Sequence, residues 1–314
     1  MAAESRPVAG VLNIDKPGGI TSHDVVARVR KLSRQDKVGH TGTLDPMATG
    51  VLLVCLGQAT RLIEYLMYSP KKYRATIRFG VTTDTLDADG MVVAEHDAST
   101  LTDRYLREVL STFRGEMQQV PPLFSALKKN GQPLYKRARA GQRIELDPRP
   151  VTIYNLTFVE WKPPDLTVDV ACSPGTYIRA LARDLGDAVG TGAHLIALVR
   201  TANGPWPLDE AVSLAQLEHE ARAGDHGWQK FLHPPDQAIL HLPKVVLDDG
   251  AVSHVKCGRH IQLESKVTEP LSAGSNPPQV DVVRAYTSSG DFLAILKPAK
   301  DDENFWQPKK VFRT

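Results

Sequence analysis

One carboxylate is a candidate for chemistry because of the residues that surround it. Asp45 lies in segment 39–50, together with three glycines and three threonines, and an apolar run at 51–56 follows at once. Glycine permits backbone angles that a β-carbon forbids, so such a segment can bring its main chain close to a ligand. A carboxylate held rigidly in such a segment is a candidate nucleophile or general base.

The residue after this carboxylate restricts how the loop can be built. Pro46 fixes its own φ and biases Asp45 away from helical geometry, toward an extended or turn conformation. We therefore expect Asp45 at the tip of a rigid loop that a buried strand at 51–56 braces. The alternative is that Asp45 only ends a turn, since aspartate before proline is common in turns.

Apolar periodicity predicts the elements that position this loop. The predicted strands lie at 10–14, 51–56, 71–79, 151–161, 166–171 and 193–199. Four helices are predicted. The first begins near Thr21 or Ser22, and the second carries Leu62, Ile63, Leu66 and Met67 on one face. The third spans 102–113, and the fourth follows segment 175–179. A hairpin turn is predicted at Asn130-Gly131. The segment 204–242 has the pattern of a helical connector interrupted by prolines.

Length and composition indicate a folded soluble protein of about two domains. The 314 residues are 42% hydrophobic and 24% charged, with a net charge of only +2. Attraction to nucleic acid must therefore come from local patches. Residues 121–150 supply one, because seven basic residues against two acidic ones leave a local excess of +5. The alternative for this patch is a solvated surface without a ligand.

The three cysteines, Cys55, Cys172 and Cys257, are far apart and form no Cys-x-x-Cys pair. This spacing argues against a zinc site and a disulfide framework and favours reduced thiols. The acidic stretch at 84–90 does not match a calcium loop, because the register puts His96 where a bidentate glutamate is needed. Signal-peptide layout and membrane-spanning apolar runs are both missing, so we expect a cytoplasmic protein with no membrane partner.

Seven blocks of the sequence carry a resemblance to a known family. In order and spacing over roughly residues 10–200, they resemble the bacterial tRNA pseudouridine synthase B family, of the TruB type. The blocks are residues 12–17, 39–50, 72–74, 83–90, 125–128, 175–179 and 192–195. An Asp-Pro pair alone is a weak signal, but seven ordered blocks are specific.

This resemblance implies a reaction in which the uridine at position 55, in the T loop of tRNA, becomes pseudouridine. The base is detached at N1 and rejoined to the ribose through C5. Asp45 matches the family nucleophile, and whether it attacks the uracil ring or the ribose C1′ stays open. Because no redox or phosphoryl step occurs, neither a cofactor nor a metal is expected.

The same resemblance implies two further catalytic residues. Arg179 matches the arginine that pairs with the nucleophile, and we expect its guanidinium to lower the pKa of Asp45. Tyr73 matches the aromatic residue that stacks on the target base and is a candidate to take the proton from C5. Its competing role is packing within the strand at 71–79.

Substrate-binding residues are also implied by the match. Tyr177 and Leu198 match pocket residues around the uracil, Asp87 matches a polar residue near the site, and Lys16 matches a support of the catalytic loop. On the sequence alone, Leu198 would be assigned to the core and Asp87 to a turn. His40 matches the residue that fills the place vacated when the target uridine leaves its stack, a step that costs a few kcal/mol.

The basic segment at 121–149 matches the RNA-gripping insertion of the family. It contains Lys128, Lys129 and Arg137, together with Phe124 and Tyr135. Cations for phosphates and aromatic rings for bases are the pairing expected of an RNA-binding surface. Guide-RNA-dependent pseudouridine synthases share the core, but this insertion favours the stand-alone bacterial type.

The fold implied by the resemblance is α+β. A pseudouridine synthase catalytic domain, with a mixed, largely antiparallel sheet and flanking helices, is expected at 1–241. A small β-rich, PUA-like RNA-binding domain is expected at 242–314, on the basis of a hairpin at 282–296 and its position. The implied partner is tRNA, and we expect a monomer with no obligatory protein partner.

Two other functions are compatible with parts of the pattern. A non-catalytic RNA-binding or tRNA-folding protein on the same scaffold does not need a carboxylate facing phosphate-rich RNA, so the set of Asp45, Tyr73 and Arg179 argues against it. An aspartyl-phosphate enzyme usually places its apolar strand before the nucleophile, whereas here the strand follows Asp45.

Overall fold

The structure, a computed structural model, describes residues 8–125, 127–129, 132–133, 146–224, 226–263, 282–300 and 305–312, with the backbone alone at 128, 129 and 133. The predicted turn at 130–131, as well as Tyr135 and Arg137, lie outside the described residues. In the described ranges, no helix is long and apolar enough to cross a membrane.

The helices of the described ranges alternate with strands along the chain. They are α1 (Ser22–Ser33), α2 (Ile63–Leu66), α3 (Asp103–Thr112), α4 (Ile178–Val189), α5 (Leu214–Ala223) and α6 (Asp249–Lys256), with 3₁₀ turns at Gly57–Leu62, Leu208–Glu210, Gly227–Phe231 and Pro235–Ile239. A capping box starts α1, in which Thr21 and Asp24 each bond the backbone N–H of the other. Of the two expected caps, Thr21 is therefore the one used.

The strands vary from two to fourteen residues. They are β1 (Gly10–Lys16), β2 (Val38–His40), β3 (Thr49–Leu56), β4 (Lys71–Phe79), β5 (Val81–Thr83), β6 (Val92–Glu95), β7 (Gly115–Gln119), β8 (Lys128–Lys129), β9 (Gln132–Pro133), β10 (Arg149–Lys162), β11 (Asp165–Cys172), β12 (Ala193–Asn203), β13 (Trp206–Pro207), β14 (Val212–Ser213), β15 (Leu232–His233), β16 (Lys244–Val246), β17 (Ile261–Gln262), β18 (Val283–Tyr286), β19 (Phe292–Pro298) and β20 (Phe305–Val311).

Eleven strands form one large sheet in the order β14-β1-β3-β12-β4-β11-β10-β7, with β2 on β3, β13 on β12 and β15 on β1. Two of its pairings are parallel, β1 with β14 and β3 with β12, and the others are antiparallel. Helices α1, α3, α4 and α5 contribute apolar side chains to the core beside this sheet. The expected α+β fold, with a mixed, largely antiparallel sheet and flanking helices, is confirmed.

The helix expected to carry residues 62–67 on one face is much shorter than its apolar pattern indicates. A 3₁₀ turn covers Gly57–Leu62, α2 has only four residues, and Met67 is 51% exposed. The Lys71 ammonium donates to the carbonyl oxygens of Met67 and Ser69, over 2.7 and 2.6 Å. These bonds satisfy the carbonyl groups that a continued helix would have used.

The segment at 204–242 is more than the expected connector. Within it, β14 pairs with β1 in parallel and β15 pairs with β1 antiparallel, so the segment forms one edge of the large sheet. Leu217 of α5 and Trp228 are buried in the main core. Strands of two residues carry no measurable periodicity, and this is why the sequence pattern does not reveal them.

A second sheet, in the order β16-β18-β19-β20-β17, forms the C-terminal region and has its own apolar core. It packs on the region of the large sheet through a cluster that includes Leu62, Tyr65, Ile295 and Phe312. The β-rich C-terminal region is confirmed. Its boundary at 242 and its PUA-like character stay predictions.

Gly50, at the end of the Asp45 segment, is required by a close approach of two strands. It has φ +95°, and a β-carbon there would lie 2.3 Å from the carbonyl oxygen of Arg200 on β12. The parallel pairing of β3 with β12 brings these two residues opposite each other. Glycine is therefore needed for the backbone angle and for the space.

We predict that Gly50→Ala lowers the free energy of unfolding by about 3 kcal/mol or more, because the strands must separate. The matched control is Gly190→Ala. Gly190 has φ +76° with open space around a β-carbon, so only the backbone strain of roughly 1–2 kcal/mol applies. Chemical denaturation of both variants measures the difference, and equal losses would contradict the close-approach explanation.

Candidate active site

The loop that carries Asp45 is fixed on both sides of that residue. The Ala48 amide donates to the Asp45 carbonyl oxygen over 3.1 Å, which closes a turn. The Gly19 amide, in the turn after β1, and the Lys16 ammonium, at the end of β1, donate to the Pro46 carbonyl oxygen over 2.8 and 3.2 Å. The side chain of Asp45 thus projects from a backbone that is bonded to its surroundings.

Lys16 braces this loop from inside the protein. Its side chain is fully buried, and its ammonium also donates to the carbonyl oxygens of Pro17 and Ile20, over 2.8 and 2.7 Å. Burial lowers the pKa of Lys16 to about 8, although the nearby Asp45 carboxylate opposes this shift. This geometry suits support of the loop and leaves no exposed atom to contact a substrate.

Arg179, in the first turn of α4, forms an ion pair with Asp45. Its Nη2 donates to Asp45 Oδ1 over 3.0 Å, and its Nε lies 2.9 Å from Oδ2. The Nε contact is ionic, since its angle does not make a hydrogen bond. The Arg179 side chain is only 4% exposed, whereas that of Asp45 remains 31% exposed. One edge of the carboxylate is held by the arginine, and part of its surface stays accessible.

Three other groups fix the guanidinium of Arg179. Its Nη1 donates to the Thr85 carbonyl oxygen, and its Nη2 donates to the Phe124 carbonyl oxygen, both over 2.9 Å. Asp87 Oδ2 lies 3.3 Å from Nη1. Asp87 is itself oriented by the Thr85 hydroxyl, which donates to its Oδ1. The structure therefore brings Asp45, Arg179 and Asp87 into one cluster.

Burial raises the pKa of Asp45 above its usual range, and the guanidinium of Arg179 and the ammonium of Lys16 act in the opposite direction. The second carboxylate, Asp87, adds to the rise. The expected lowering by Arg179 is thus present, but the surrounding protein outweighs it. A carboxylate that has lost part of its hydration shell has less water to shed when it attacks.

Tyr73 and Leu198 lie on the neighbouring strands β4 and β12, both turned toward the main core. Burial raises the pKa of the Tyr73 hydroxyl, while Arg200 lowers it. Tyr177 is the residue before α4, and the buried Gln119 holds its backbone through two bonds. The Tyr177 amide donates to Gln119 Oε1 over 2.8 Å, and Gln119 Nε2 donates to the Tyr177 carbonyl oxygen over 3.2 Å.

His40 lies at the end of β2, at the entrance to the Asp45 loop. Its Nδ1 accepts a hydrogen bond from the Gly42 amide over 3.2 Å, and its ring packs edge-on against His23 at 5.5 Å. Burial lowers the pKa of His40 to about 4, with added contributions from His23 and Arg200. The imidazole is therefore neutral at physiological pH.

The segment at 121–149, expected from the resemblance to grip RNA, is described only in part. Lys128 and Lys129 form β8, which pairs antiparallel with β9 around the predicted turn at 130–131. The side chains of these lysines and all of Arg137 lie outside the described residues. Residues 120–125, at the beginning of the insertion, are described and are held by α4. Arg179 Nη2 donates to the Phe124 carbonyl oxygen, and Arg183 Nη2 donates to the Val120 carbonyl oxygen over 3.0 Å.

Several bracing residues carry no motif in the sequence. Ser22 Oγ donates to the Leu44 carbonyl oxygen and accepts from the Leu44 amide, over 3.1 and 2.8 Å. Asn203 Nδ2 donates to Thr41 Oγ1 over 3.0 Å. Arg200 is buried beneath the same loop. Their only signal is a polar residue inside an otherwise apolar strand or helix face. Metal-ligating clusters of three His, Cys, Asp or Glu side chains do not occur in the described part of the chain.

Comparison with known proteins agrees with this arrangement. Residues 30–178 match the model of the TruB family pseudouridylate synthase N-terminal domain, and residues 179–240 match that of the tRNA pseudouridylate synthase B C-terminal domain. The chain belongs to the TruB family of pseudouridylate synthases. The resemblance seen in the seven sequence blocks and the expectation that the chain is an enzyme of this family are confirmed.

Relatives match along nearly the whole chain. The tRNA pseudouridine synthase B of Saccharophagus degradans is 41% identical, over 98% of this chain and 96% of its own. That of Pseudomonas paraeruginosa is 46% identical, over 98% and 97%. Among solved structures, a chain of a Cbf5-Nop10-Gar1 complex has a TM-score of 0.74 at 29% identity, covering 97% of this chain and 85% of its own.

We predict that Arg179→Met raises the pKa of Asp45 further, since the carboxylate loses its nearest cation and keeps its carboxylate neighbour Asp87. The matched control is Arg183→Met, four residues along the same helix, which leaves the Asp45 contacts intact and should leave this pKa unchanged. Titration of the carboxyl carbon of Asp45 by NMR measures both. An unchanged or lower pKa in Arg179→Met would contradict the ion pair.

Proposed function

We propose that this chain is a tRNA pseudouridine synthase that isomerises uridine 55 in the T loop of tRNA, with Asp45 as its nucleophile. The relatives that match the whole chain at 41% and 46% identity carry the name tRNA pseudouridine synthase B. The observation that carries the proposal is the Asp45–Arg179 pair, in which a nearly buried guanidinium holds one edge of a carboxylate that is still accessible.

The reaction follows from this arrangement. Ionised Asp45 attacks either the uracil ring or the ribose C1′, and the bond between N1 and C1′ breaks. The base turns while it stays in the pocket, a bond forms between C5 and C1′, the bond to Asp45 breaks and releases the carboxylate, C5 loses its proton, and N1 gains one. Product and substrate are isomers, so the chemistry needs no oxidant and no phosphoryl donor. Arg179 keeps the carboxylate ionised, and Tyr73 stacks on the base and takes the proton from C5.

The target uridine must leave its stack before Asp45 can reach it. His40, which is neutral and lies at the entrance of the catalytic loop, fills the vacated place by stacking on the bases that remain. Leu198 and Tyr177 border the uracil, and Asp87 holds Arg179 from the side away from Asp45. Lys16 acts on the loop and not on the RNA, because its ammonium is buried against three carbonyl oxygens.

We also propose that the chain acts in the cytoplasm as a monomer without an obligatory protein partner, with catalytic residues 1–241 and an RNA-binding region at 242–314. The RNA-gripping insertion at 121–149 supplies cations for the tRNA backbone. The alternative of an RNA-binding protein without catalysis is less well supported. An accessible carboxylate, here oriented by a buried arginine, repels the phosphates of RNA and adds no affinity.

Asp45→Asn should abolish pseudouridine formation, by up to roughly a million-fold as seen when a nucleophile is removed elsewhere. The shape of the side chain is preserved, so tRNA binding should survive. Asp89→Asn, which alters an exposed carboxylate of the neighbouring loop, is the control and should keep full activity. Pseudouridine is quantified in tRNA transcripts after digestion. Turnover by Asp45→Asn would exclude this residue as the nucleophile.

Neutralising Lys128, Lys129 and Arg137 together should weaken tRNA binding and flatten its dependence on salt, by about 0.7–0.9 in the logarithmic slope for each phosphate that the protein no longer neutralises. The control removes three exposed cations that each face a glutamate, Arg104, Lys162 and Lys230. Binding is measured from 50 to 200 mM salt, about the range over which such interactions weaken strongly. If both triple variants showed the same salt dependence of tRNA affinity, the assignment of the insertion to the RNA interface would be wrong.

A further inference from the structure

Arg200 is a buried cation to which the proposed reaction assigns no role. It lies on β12, between β3 and β4, and is 1% exposed. Its Nε donates to the Val51 carbonyl oxygen over 2.6 Å, and its Nη2 donates to the Gly42 carbonyl oxygen over 3.1 Å. Gly42 precedes Asp45 and Val51 follows it, so one guanidinium ties both ends of the catalytic loop to the sheet.

The backbone of Arg200 joins the same elements. It lies opposite Gly50 in the parallel pairing with β3 and opposite Tyr73 in the antiparallel pairing with β4. Because Gly50 has no side chain, the Arg200 backbone lies closer to the loop than it could if any other residue stood at position 50. In the described sheet, Val199 and Arg200 both pair with β3, the strand after Asp45, and with β4, the strand of Tyr73, and of these two residues it is Arg200 that lies opposite Tyr73.

The charge of Arg200 is not neutralised within the described residues, where no carboxylate lies within 4.0 Å of its guanidinium. Burying an uncompensated cation costs several kcal/mol, which an apolar residue at this site would avoid. Because Arg200 lies directly opposite Tyr73 in the pairing of β12 with β4, its positive charge is close to the Tyr73 side chain and lowers the pKa of the hydroxyl against the raising effect of burial. The titratable and charged groups that act on the pKa of this hydroxyl are Arg200 from β12, Cys172 from β11 and Asp45 from the loop.

Of these groups, only Arg200 favours ionisation of the Tyr73 hydroxyl. Asp45 opposes it, and burial raises the pKa of Cys172 to about 11, so this thiol is neutral. A tyrosine that accepts a proton, or polarises one, works better when a cation stabilises its oxygen. Arg200 therefore has the position and the charge to act on Tyr73 as well as on the loop.

We propose that Arg200 is a positioning residue, which sets the distance between Asp45 and Tyr73 by clamping the catalytic loop to β12 and holds a positive charge beside Tyr73. This inference rests on the proposed function, because both residues act in it. The planar fork of arginine reaches two carbonyl oxygens at once, and the single ammonium of lysine cannot reproduce that geometry. A displacement of about 1 Å in a catalytic group can cost roughly a hundredfold in rate.

The test compares Arg200→Lys, which keeps the charge, with Arg200→Met, which removes it at similar volume. Arg74→Lys is the matched control, since Arg74 is an exposed arginine on the other face of the sheet, paired with Asp169. For each variant, we measure kcat for pseudouridine formation, tRNA affinity, and the titration of a ¹³C-labelled Tyr73 ring by NMR in the free protein.

We expect Arg200→Lys to lower kcat roughly a hundredfold with unchanged tRNA affinity, and Arg200→Met to raise the pKa of Tyr73. Combining Arg200→Lys with Tyr73→Phe should add less than the product of the two single effects, because both act through one hydroxyl. Arg74→Lys should leave all three measurements as they are in the wild type.

Wild-type kcat in Arg200→Lys, or an unmoved Tyr73 titration in Arg200→Met, would overturn the proposal. So would a loss of tRNA affinity at unchanged kcat, which would assign Arg200 to RNA binding. If Arg200→Met does not fold, the titration is read in Arg200→Lys, in which a displaced cation should still raise the pKa. Absence of pseudouridine formation by the wild type would refute the proposed function, whereas the Tyr73 titration would still decide the role of Arg200.

Discussion

The contact between the Asp45 carboxylate and the Arg179 guanidinium is the interaction on which the site depends. Burial alone would keep Asp45 protonated to a higher pH, and the Arg179 guanidinium, held at hydrogen-bond distance, is the main group that limits that shift, with a smaller contribution from Lys16. The arginine can do this because its own position is set by two carbonyl oxygens and a second carboxylate. A flexible arginine at the same place would lose this effect to solvent.

The residues that hold this pair come from distant parts of the chain. Arg179 contacts the loop before β6 through Thr85, the beginning of the insertion through Phe124, and the catalytic loop through Asp45. Helix α4 also holds the insertion at Val120, and Gln119 is bonded to the residue before that helix. A movement of segment 121–149 would therefore act on the same helix that holds the Asp45 carboxylate, and under the proposed function this would couple RNA contact to the geometry of the site.

Much of the fold and of the site was accessible from the sequence, because strong local signals determine it. Strict alternation predicted β4 with Tyr73 on its buried side, and the Asp-Pro pair in a glycine-rich segment predicted a fixed loop for Asp45. The resemblance supplied Arg179. These features depend on neighbours in the chain or on motifs, and both are visible without coordinates.

The remaining features depend on contacts between distant residues. The net rise in the pKa of Asp45 comes from protein packed around it, and no pattern near position 45 reports that packing. No motif reports that Arg200 is buried against carbonyl oxygens, and the burial of Lys16 is equally invisible in its neighbours, although the resemblance assigned Lys16 to the support of the loop. The two-residue strands β14 and β15 exist only because β1 offers them an edge, and they could not be inferred before β1 was placed.

The most direct test of the central claim is a single incubation of the purified chain with an unmodified tRNA transcript, without added cofactor or metal, followed by mapping of every pseudouridine. The proposed function, with an accessible Asp45 held by Arg179, predicts one pseudouridine, at position 55 in the T loop. No pseudouridine, or pseudouridine only at other positions, would contradict the account.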